Sequence, residues 1–503
     1  MDNEAYYNII KKTLKLDERP FLDYVIKSIQ DNNYFISAPT GYGKTAISMA
    51  LALKEVREGF KIVISYPLRS LIEQQSEKFK SLMEKLGYKE ITGVRYMGKA
   101  ESPYLVHPIT LTTIDTLSLM SLGLSPEDTW KVYREYQGTT YGSLGHYMFS
   151  WASIFTASHV FDEVHLLADR TKSLSFLITF LELGKIFGYN VVSLSATLPK
   201  VYREVISGYA KFLNFEEGYD KKFFNERKEK KYKIRLEEIR GDKIEILKSF
   251  LKDFRKALVV FNTIDDAINF YRSIEGKKVL IHSRFSNEDR EKKGKEVEEM
   301  DEGIVVGTQA IEAGLDFSSD LIISELCPAN SLVQRFGRFL RRDEKEGKAI
   351  VWYEGEIGYK YKVYDGELVK RTLNYLSSNN DVNLHIDYEN FLDYVYSTPE
   401  VDYNLKRDIV SVITNLSSPS KSAIDLLIKM DGSLVRDGDI LTAVSSNGIE
   451  VPVNFSYVSK NCVKAFNGKE ERVCPKYERE AVIYSLEGFK FLVKLPYTEE
   501  GLI

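Results

Sequence analysis

The stretch Phe35-Ile36-Ser37-Ala38-Pro39-Thr40-Gly41-Tyr42-Gly43-Lys44-Thr45 constrains this chain more than any other. A short apolar strand, Tyr34 to Ser37, runs into a glycine-bearing turn, and a helix then opens with Thr45-Ala46-Ile47-Ser48. Gly41 and Gly43 carry no Cβ and tolerate positive φ, so the backbone N–H groups from Thr40 onward can close around phosphate oxygens. The helix N-terminus adds its dipole, Lys44 a point charge and Thr45 a hydroxyl for Mg²⁺. A strict phosphate-loop pattern would have Gly where Ala38 stands.

The segments around this loop alternate in type. Residues 1–33 read as helices, with Tyr6, Ile9, Ile10 and Leu14 spaced for one apolar face. Strands are expected at Tyr34–Ser37, Lys61–Tyr66, Ile109–Thr113, His159–Asp162 and Asn190–Ser195. Helices are expected at Thr45–Glu58, Ser70–Leu86, Leu166–Phe187 and Lys200–Asn214, with an insertion over Gly123–Trp151. Such alternation gives an α/β parallel sheet with ligands at the strand carboxyl ends. Residues 215–235 shift to a basic composition and read as an interdomain linker with a solvated face. A second alternating unit follows, with strands at Ala257–Phe261, Lys278–His282, Gly303–Gly307, Leu321–Glu325 and Lys348–Tyr353. Residues 356–432 read as helical and 435–497 as β-rich. The expected division is 1–218, 219–355 and 356–503: two tandem parallel-sheet domains and a C-terminal accessory domain.

Composition narrows the function classes. A formal net charge of −4 over 503 residues excludes a uniformly basic nucleic-acid binder, though not a local basic channel. No apolar run reaches the ~18–20 residues of a membrane span, and Met1-Asp2-Asn3-Glu4 is no signal sequence. Cys327, Cys462 and Cys474 are too few and too scattered for a disulfide framework. A cytoplasmic location without membrane contact is expected.

Three further segments carry chemistry. Phe161-Asp162-Glu163-Val164-His165 ends a strand with paired carboxylates: Asp162 suits Mg²⁺ and Glu163 the orientation and deprotonation of an attacking water. Ser193-Leu194-Ser195-Ala196-Thr197 supplies hydroxyls at another strand end; Ser195 and Thr197, with His165, read as coupling residues. Gln334-Arg335-Phe336-Gly337-Arg338-Phe339-Leu340-Arg341 places Arg338 and Arg341 three apart on a helix expected over Ser331–Arg341, hence on one face, where guanidinium groups can meet charge on a transferring phosphoryl group.

Together these segments resemble motifs I, II, III and VI of superfamily 2 helicases, with a DEVH box, and Ala-x-x-Gly-x-Gly-Lys-Thr is a loop variant usual there. Pro67–Leu71 resembles motif Ia, Leu111–Asp115 motif Ib and Val260–Thr263 motif IV. Gly307–Asp316 resembles motif V, which adds Gly314 and Asp316 to the nucleotide site. The resemblance implies two RecA-like domains that use ATP and Mg²⁺, with Gln334, Arg338 and Arg341 completing the site on closure. DNA contacts are then expected from Arg69, Thr113, Arg284 and Thr308, while Phe285 reads as core. Ile281-His282-Ser283-Arg284-Phe285 with Asp289-Arg290, and Tyr364-Asp365-Gly366-Glu367-Leu368-Val369, are similar to signatures of the CRISPR-associated type I interference helicase. That family implies 3′-to-5′ movement on single-stranded DNA, recruited by a crRNA-guided surveillance complex.

Two departures stand out. The phosphate loop begins near residue 37, leaving no room before it for an HD nuclease, and the six histidines include no His-Asp dipeptide. A helicase-only form with a separate HD nuclease subunit is expected, and His385 and Asp387 read as surface residues. Leu22 or Asp23 stands where the family's adenine-reading Gln is expected. A repair or RNA helicase of the same superfamily, or a nucleotide-gated recruitment module, stands as the alternative.

Overall fold

The computed structural model describes residues 2–139, 144–168, 171–196, 198–312, 315–415, 421–435 and 441–503. The first unit is built on strands β1 (Tyr34–Ser37), β2 (Ile62–Tyr66), β3 (Thr92–Tyr96), β4 (Lys99–Ala100), β5 (Ile109–Thr113), β6 (Ser158–Phe161), β7 (Val191–Ser195) and β8 (Lys211–Asn214). Their order is β4-β3-β5-β2-β6-β7-β1-β8, parallel throughout except for β3 with β4. Strands β1, β2 and β5 are buried along their whole length, as apolar strands covered by helices on both faces must be. Because β7 lies between β1 and β6, the phosphate loop, Ser195 and the carboxylates emerge side by side at one edge; Ser37 is level with Ser195, and Phe161 with Ser193.

Strands β3, β4 and β8 escape the sequence pattern, as does the strand Ile234–Ile239 of the second unit. Strand β3 carries Arg95, almost wholly buried because it pairs with Glu127 of the insertion. Residues 200–214 are not one helix: the helix Lys200–Ile206 stops, and β8 pairs with β1 at the sheet edge. The expected helix over Leu166–Phe187 resolves into His165–Ala168 and Thr171–Phe187. Nor is the linker unstructured; the helix Lys221–Lys228 starts where Asp220 Oδ1 accepts from the Phe223 N–H at 2.9 Å.

The second sheet comprises β9 (Ile234–Ile239), β10 (Lys256–Val260), β11 (Lys278–Ile281), β12 (Gly303–Gly307), β13 (Leu321–Glu325) and β14 (Lys348–Glu354). Its order, β11-β12-β10-β13-β14-β9, is parallel at every pairing. The tandem parallel sheets bear out the expected α/β class.

After the hairpin β15 (Lys360–Tyr361) and β16 (Tyr364–Asp365) come four helices, Gly366–Ser378, Glu389–Val395, Tyr403–Thr414 and Lys421–Lys429. The third packs on the first unit, where the Asp402 N–H donates to Ser175 Oγ at 2.8 Å. A mixed sheet of β17 (Leu441–Val444), β18 (Glu450–Val453), β19 (Cys462–Phe466), β20 (Glu471–Arg472) and β21 (Lys490–Val493) follows, then the hairpin β22 (Tyr497–Thr498) and β23 (Gly501–Leu502).

Two further expectations are corrected. Cys462 and Cys474 form a disulfide, because Cys462 opens β19 and Cys474 follows its antiparallel partner β20 by two residues, and Cys327 is a free, buried thiol. His385 is buried rather than on the surface: its ring packs edge-on to Tyr232 at 5.5 Å and stacks near Phe339, and burial pushes its pKa down to about 3. Among the described residues no helix is long and apolar enough to cross a membrane.

Candidate nucleotide site between the two sheets

Gly41 and Gly43 take φ of +79° and +97°, the left-handed conformations that the loop demands. Beyond them the helix Thr45–Arg57 begins without a side-chain cap, leaving its first N–H groups to a ligand. Lys44 is buried, and its Nζ donates to the Ala38 and Pro39 carbonyls at 2.9 and 3.3 Å. Burial and Arg341 lower its basicity, against the pull of Glu163 and Asp162. Thr40 and Thr45 are half-buried at the loop rim. The loop is braced from the linker: Tyr42 Oη donates to Asp220 Oδ2 at 3.0 Å and accepts from the Phe21 N–H at 3.2 Å.

Asp162 is buried at the end of β6, and Glu163 follows in a left-handed conformation, φ +56°. Burial and the adjacent Glu163 push the Asp162 carboxyl well above its ordinary range. Burial acts on Glu163 in the same direction, but the cations Lys44, Arg338 and Arg341 outweigh it and hold Glu163 low. The pair is therefore divided into one carboxyl that resists charging and one that keeps its charge. His165 is buried, and burial takes its pKa down to about 4, so the ring is neutral near pH 7. Its Nδ1 accepts from the Ala196 N–H at 3.4 Å, which places the ring proton on Nε2. Glu163 Oε2, 3.4 Å from that Nδ1, thus meets an acceptor and gains no hydrogen bond.

The opposite wall comes from the second sheet. Gln334, buried on the helix Ala329–Phe336, comes up beside His165, so the two units meet at this point. Arg338 and Arg341 are not on that helix, as the spacing suggested; the chain leaves helical geometry at Gly337, and both arginines lie in the loop beyond. The reason is proximity: a Cβ on Gly337 would come within 3.3 Å of Thr40 Cγ2, so the turn sits against the phosphate loop. Arg338 Nη2 donates to the Glu312 carbonyl at 3.1 Å, and Arg341 Nη1 donates to the Leu315 carbonyl at 3.2 Å. Asp316, named for the nucleotide, is exposed and lies 3.8 Å from Arg341 and 3.5 Å from Arg342. Ser195 is buried, its carbonyl accepting from the Ala38 N–H at 3.1 Å. Thr197 and Gly314 lie outside the described residues.

The residues named for nucleic acid do not gather in this cleft. Thr113 caps the following helix, its Oγ1 accepting from the Thr116 N–H at 3.2 Å, and Thr308 is buried. Arg69 starts the helix Arg69–Lys85, its guanidinium 5.8 Å from the Tyr96 ring centre. Arg284 pairs with Asp265 at 3.2 Å and covers the Tyr457 ring at 4.6 Å. Phe285 is core, stacked on His282 at 4.2 Å.

One structural residue went unmarked in the sequence. Arg335, fully buried, donates to Glu312 Oε1 at 2.9 Å, Ser324 Oγ at 3.0 Å, Asn262 Oδ1 at 3.0 Å and Tyr364 Oη at 3.1 Å. It ties motifs IV, V and VI to the hairpin before the accessory helices. Its place beside Gln334 was the available signal, since a charge on the inward side of an amphipathic helix must find partners.

The cleft suits a hydrated metal and a polyphosphate. Glu163 Oε2, Gln334 Nε2 and Arg338 Nε are buried polar atoms without a hydrogen-bond partner. Such orphans are costly unless a ligand or its water fills the space. Thr45 and Asp162 are the oxygen donors that would hold Mg²⁺, and Lys44, Arg338 and Arg341 the cations that would face phosphate.

Comparison with known proteins agrees with this geometry. Residues 20–205 match the DEAD/DEAH box helicase family, and residues 253–344 match the C-terminal part of the CRISPR-associated nuclease/helicase Cas3. The CRISPR-associated helicase Cas3 of Thermoproteus tenax is 27% identical over 350 residues, covering 65% of this chain and 57% of that protein. The chain spans about half the length of the curated relatives it matches. In fold, T. fusca Cas3 with AMPPNP superposes with a TM-score of 0.62 at 16% identity, over 98% of this chain and 69% of that one. A chain of a CRISPR RNA-guided surveillance complex in a pre-nicking state gives 0.57 at 16% identity, over 96% and 68%. By sequence the chain is similar to DEAD/DEAH box helicases over residues 20–205 and to the C-terminal part of Cas3 over residues 253–344, and its fold is similar to that of the Cas3 structures.

Proposed function

We propose that the chain is an ATP-driven motor that moves 3′ to 5′ on single-stranded DNA during crRNA-guided interference, with strand cleavage left to a separate nuclease subunit. The observation that carries the motor reading is the approach of Gly337 to Thr40, which sets the arginine-bearing segment of one sheet against the phosphate loop of the other. Glu163 keeps its charge and has an unpartnered oxygen, so it can accept the proton of an attacking water. Gln334 keeps Nε2 available to orient that water. Arg338 and Arg341 approach from the second sheet and offset charge on the departing phosphate. Bound Mg²⁺ would neutralise the phosphate oxygens at Thr45 and Asp162. Opening and closing of the cleft then moves the two sheets relative to each other.

The likeness to a chain of a surveillance complex supports the recruitment part of this reading. Its test is the ATPase rate of the purified chain with single-stranded DNA, single-stranded RNA or neither, beside a Mg²⁺/Mn²⁺ nuclease assay. Stimulation by DNA without cleavage is expected. Stimulation by RNA alone would move the chain to RNA metabolism, and intrinsic cleavage would remove the separate nuclease.

A further inference from the structure

The interdomain helix Lys221–Lys228 reaches the phosphate loop at both of its ends. At its start, Asp220 accepts from Tyr42 Oη at 3.0 Å and lies 3.9 Å from Arg19. Toward its end, Arg227 turns back over the Phe223 ring at 5.0 Å, and its Nη1 donates to the Arg341 carbonyl at 3.0 Å. Its Nη2 is so close to the loop that a Cβ on Gly41 would meet it at 3.1 Å. The half-buried guanidinium is thus wedged between the phosphate loop of one sheet and the arginine segment of the other.

Its charge is poorly balanced there. Among the described residues no carboxylate lies within ion-pairing distance of Arg227. Burial lowers its basicity first, and Arg341 and Arg19 lower it further, with Glu226 the one opposing group. Cations crowded in a partly desolvated cleft repel one another, and a multiply charged anion among them relieves the repulsion. Direct carbonyl bonding and stacking on Phe223 preset the guanidinium's direction, so little side-chain freedom is lost on capture.

We infer that Arg227 is a further ligand for the phosphate chain of the bound nucleotide, delivered to Gly41 by the interdomain helix. The inference rests on the ATP-site reading of the phosphate loop and extends it to a residue outside the helicase motifs. Because the same side chain holds the Arg341 carbonyl, nucleotide capture at Arg227 also fixes the linker relative to both sheets.

The test uses the full chain with fluorescent N-methylanthraniloyl ATP and ADP as probes and unlabelled adenosine as competitor. R227A and R227Q are expected to bind both nucleotides at least about tenfold more weakly, as loss of a charged hydrogen bond predicts. R227K should stay within about threefold, since an ammonium retains the charge. The KM for ATP should rise more than kcat falls, and adenosine competition should not change, because adenosine has no phosphate. Unchanged nucleotide affinity in R227A would overturn the inference. So would equal weakening toward adenosine, which marks a merely structural role. If R227A fails to fold by circular dichroism, the comparison of R227K with R227Q decides: equal affinities overturn the charge role. K44A is the control on the site itself; if it binds the probes like the unmodified chain, the phosphate-loop reading fails instead.

Discussion

At the scale of single residues, the site is a set of side chains held in states that water would not give them. Glu163 adopts φ +56°, a conformation costing a non-glycine residue roughly 1–2 kcal/mol, and such strain persists only where the surroundings over-determine it. E163Q keeps the shape and removes the base. Its kcat for ATP should fall by at least about 10²-fold, with nucleotide affinity and melting temperature nearly unchanged; near-normal turnover would remove Glu163 from its role. Glu325, at the end of β13, offers a pH test. It is fully buried, Oε2 accepts from the Asn262 N–H at 2.7 Å, and Oε1 has no partner. Burial, and then Asp266, push its pKa up to about 7. Between the unfolded value of about 4 and about 7 the folded state binds more protons than the unfolded one, so this group's contribution to stability falls as pH rises. E325Q cannot titrate, and its melting temperature relative to the unmodified chain should climb between pH 5 and pH 8. A constant difference across that range would refute the assignment.

At the scale of elements, several boundaries depended on contacts between distant segments. The helix carrying Gln334 ends at Phe336, five residues before the end that its sequence pattern suggests, because Gly337 must pass beside Thr40. The last hairpin shows the same dependence. His282 Nδ1 accepts from the Arg284 N–H at 3.1 Å and its Nε2 donates to the Glu500 carbonyl at 2.9 Å, while the Leu502 N–H donates to the Arg284 carbonyl at 2.9 Å. Gly501 makes this docking possible: it has φ +88°, and a Cβ there would lie 2.6 Å from the Arg284 carbonyl oxygen. G501A should therefore loosen the hairpin by about 1–2 kcal/mol, read as faster hydrogen exchange of the amides from His282 to Ser286. Unchanged protection would mean that the hairpin does not hold this loop.

At the scale of the whole molecule, the two sheets share one site, and the division of labour between them is testable. On the proposed reading the first sheet would supply the loop, the metal ligands and the base, and the second Arg338 and Arg341, whose cations would stabilise charge that develops during transfer. R338A should leave ATP affinity within a few-fold while lowering kcat by about 10³-fold or more, the range for an arginine that meets the transition state. A loss confined to affinity would place Arg338 in ground-state binding instead. Single-turnover and steady-state kinetics on the intact chain separate the two.

The local sequence by itself determined the phosphate loop, the carboxylate strand end and the alternation that yields two parallel sheets. Each is a short-range signal: glycine conformational freedom, paired charges after an apolar run, and period-coded burial. Only the tertiary structure decided which polar residues are spent internally. Arg95 and Arg335 are core because Glu127 and Glu312 meet them, His385 is enclosed by Tyr232 and Phe339, and Cys462 finds Cys474 across a strand pair. It alone also brought Asp220 and Arg227 to the phosphate loop, more than 170 residues away in the chain, since burial of a charge is settled by its partners and not by its own segment.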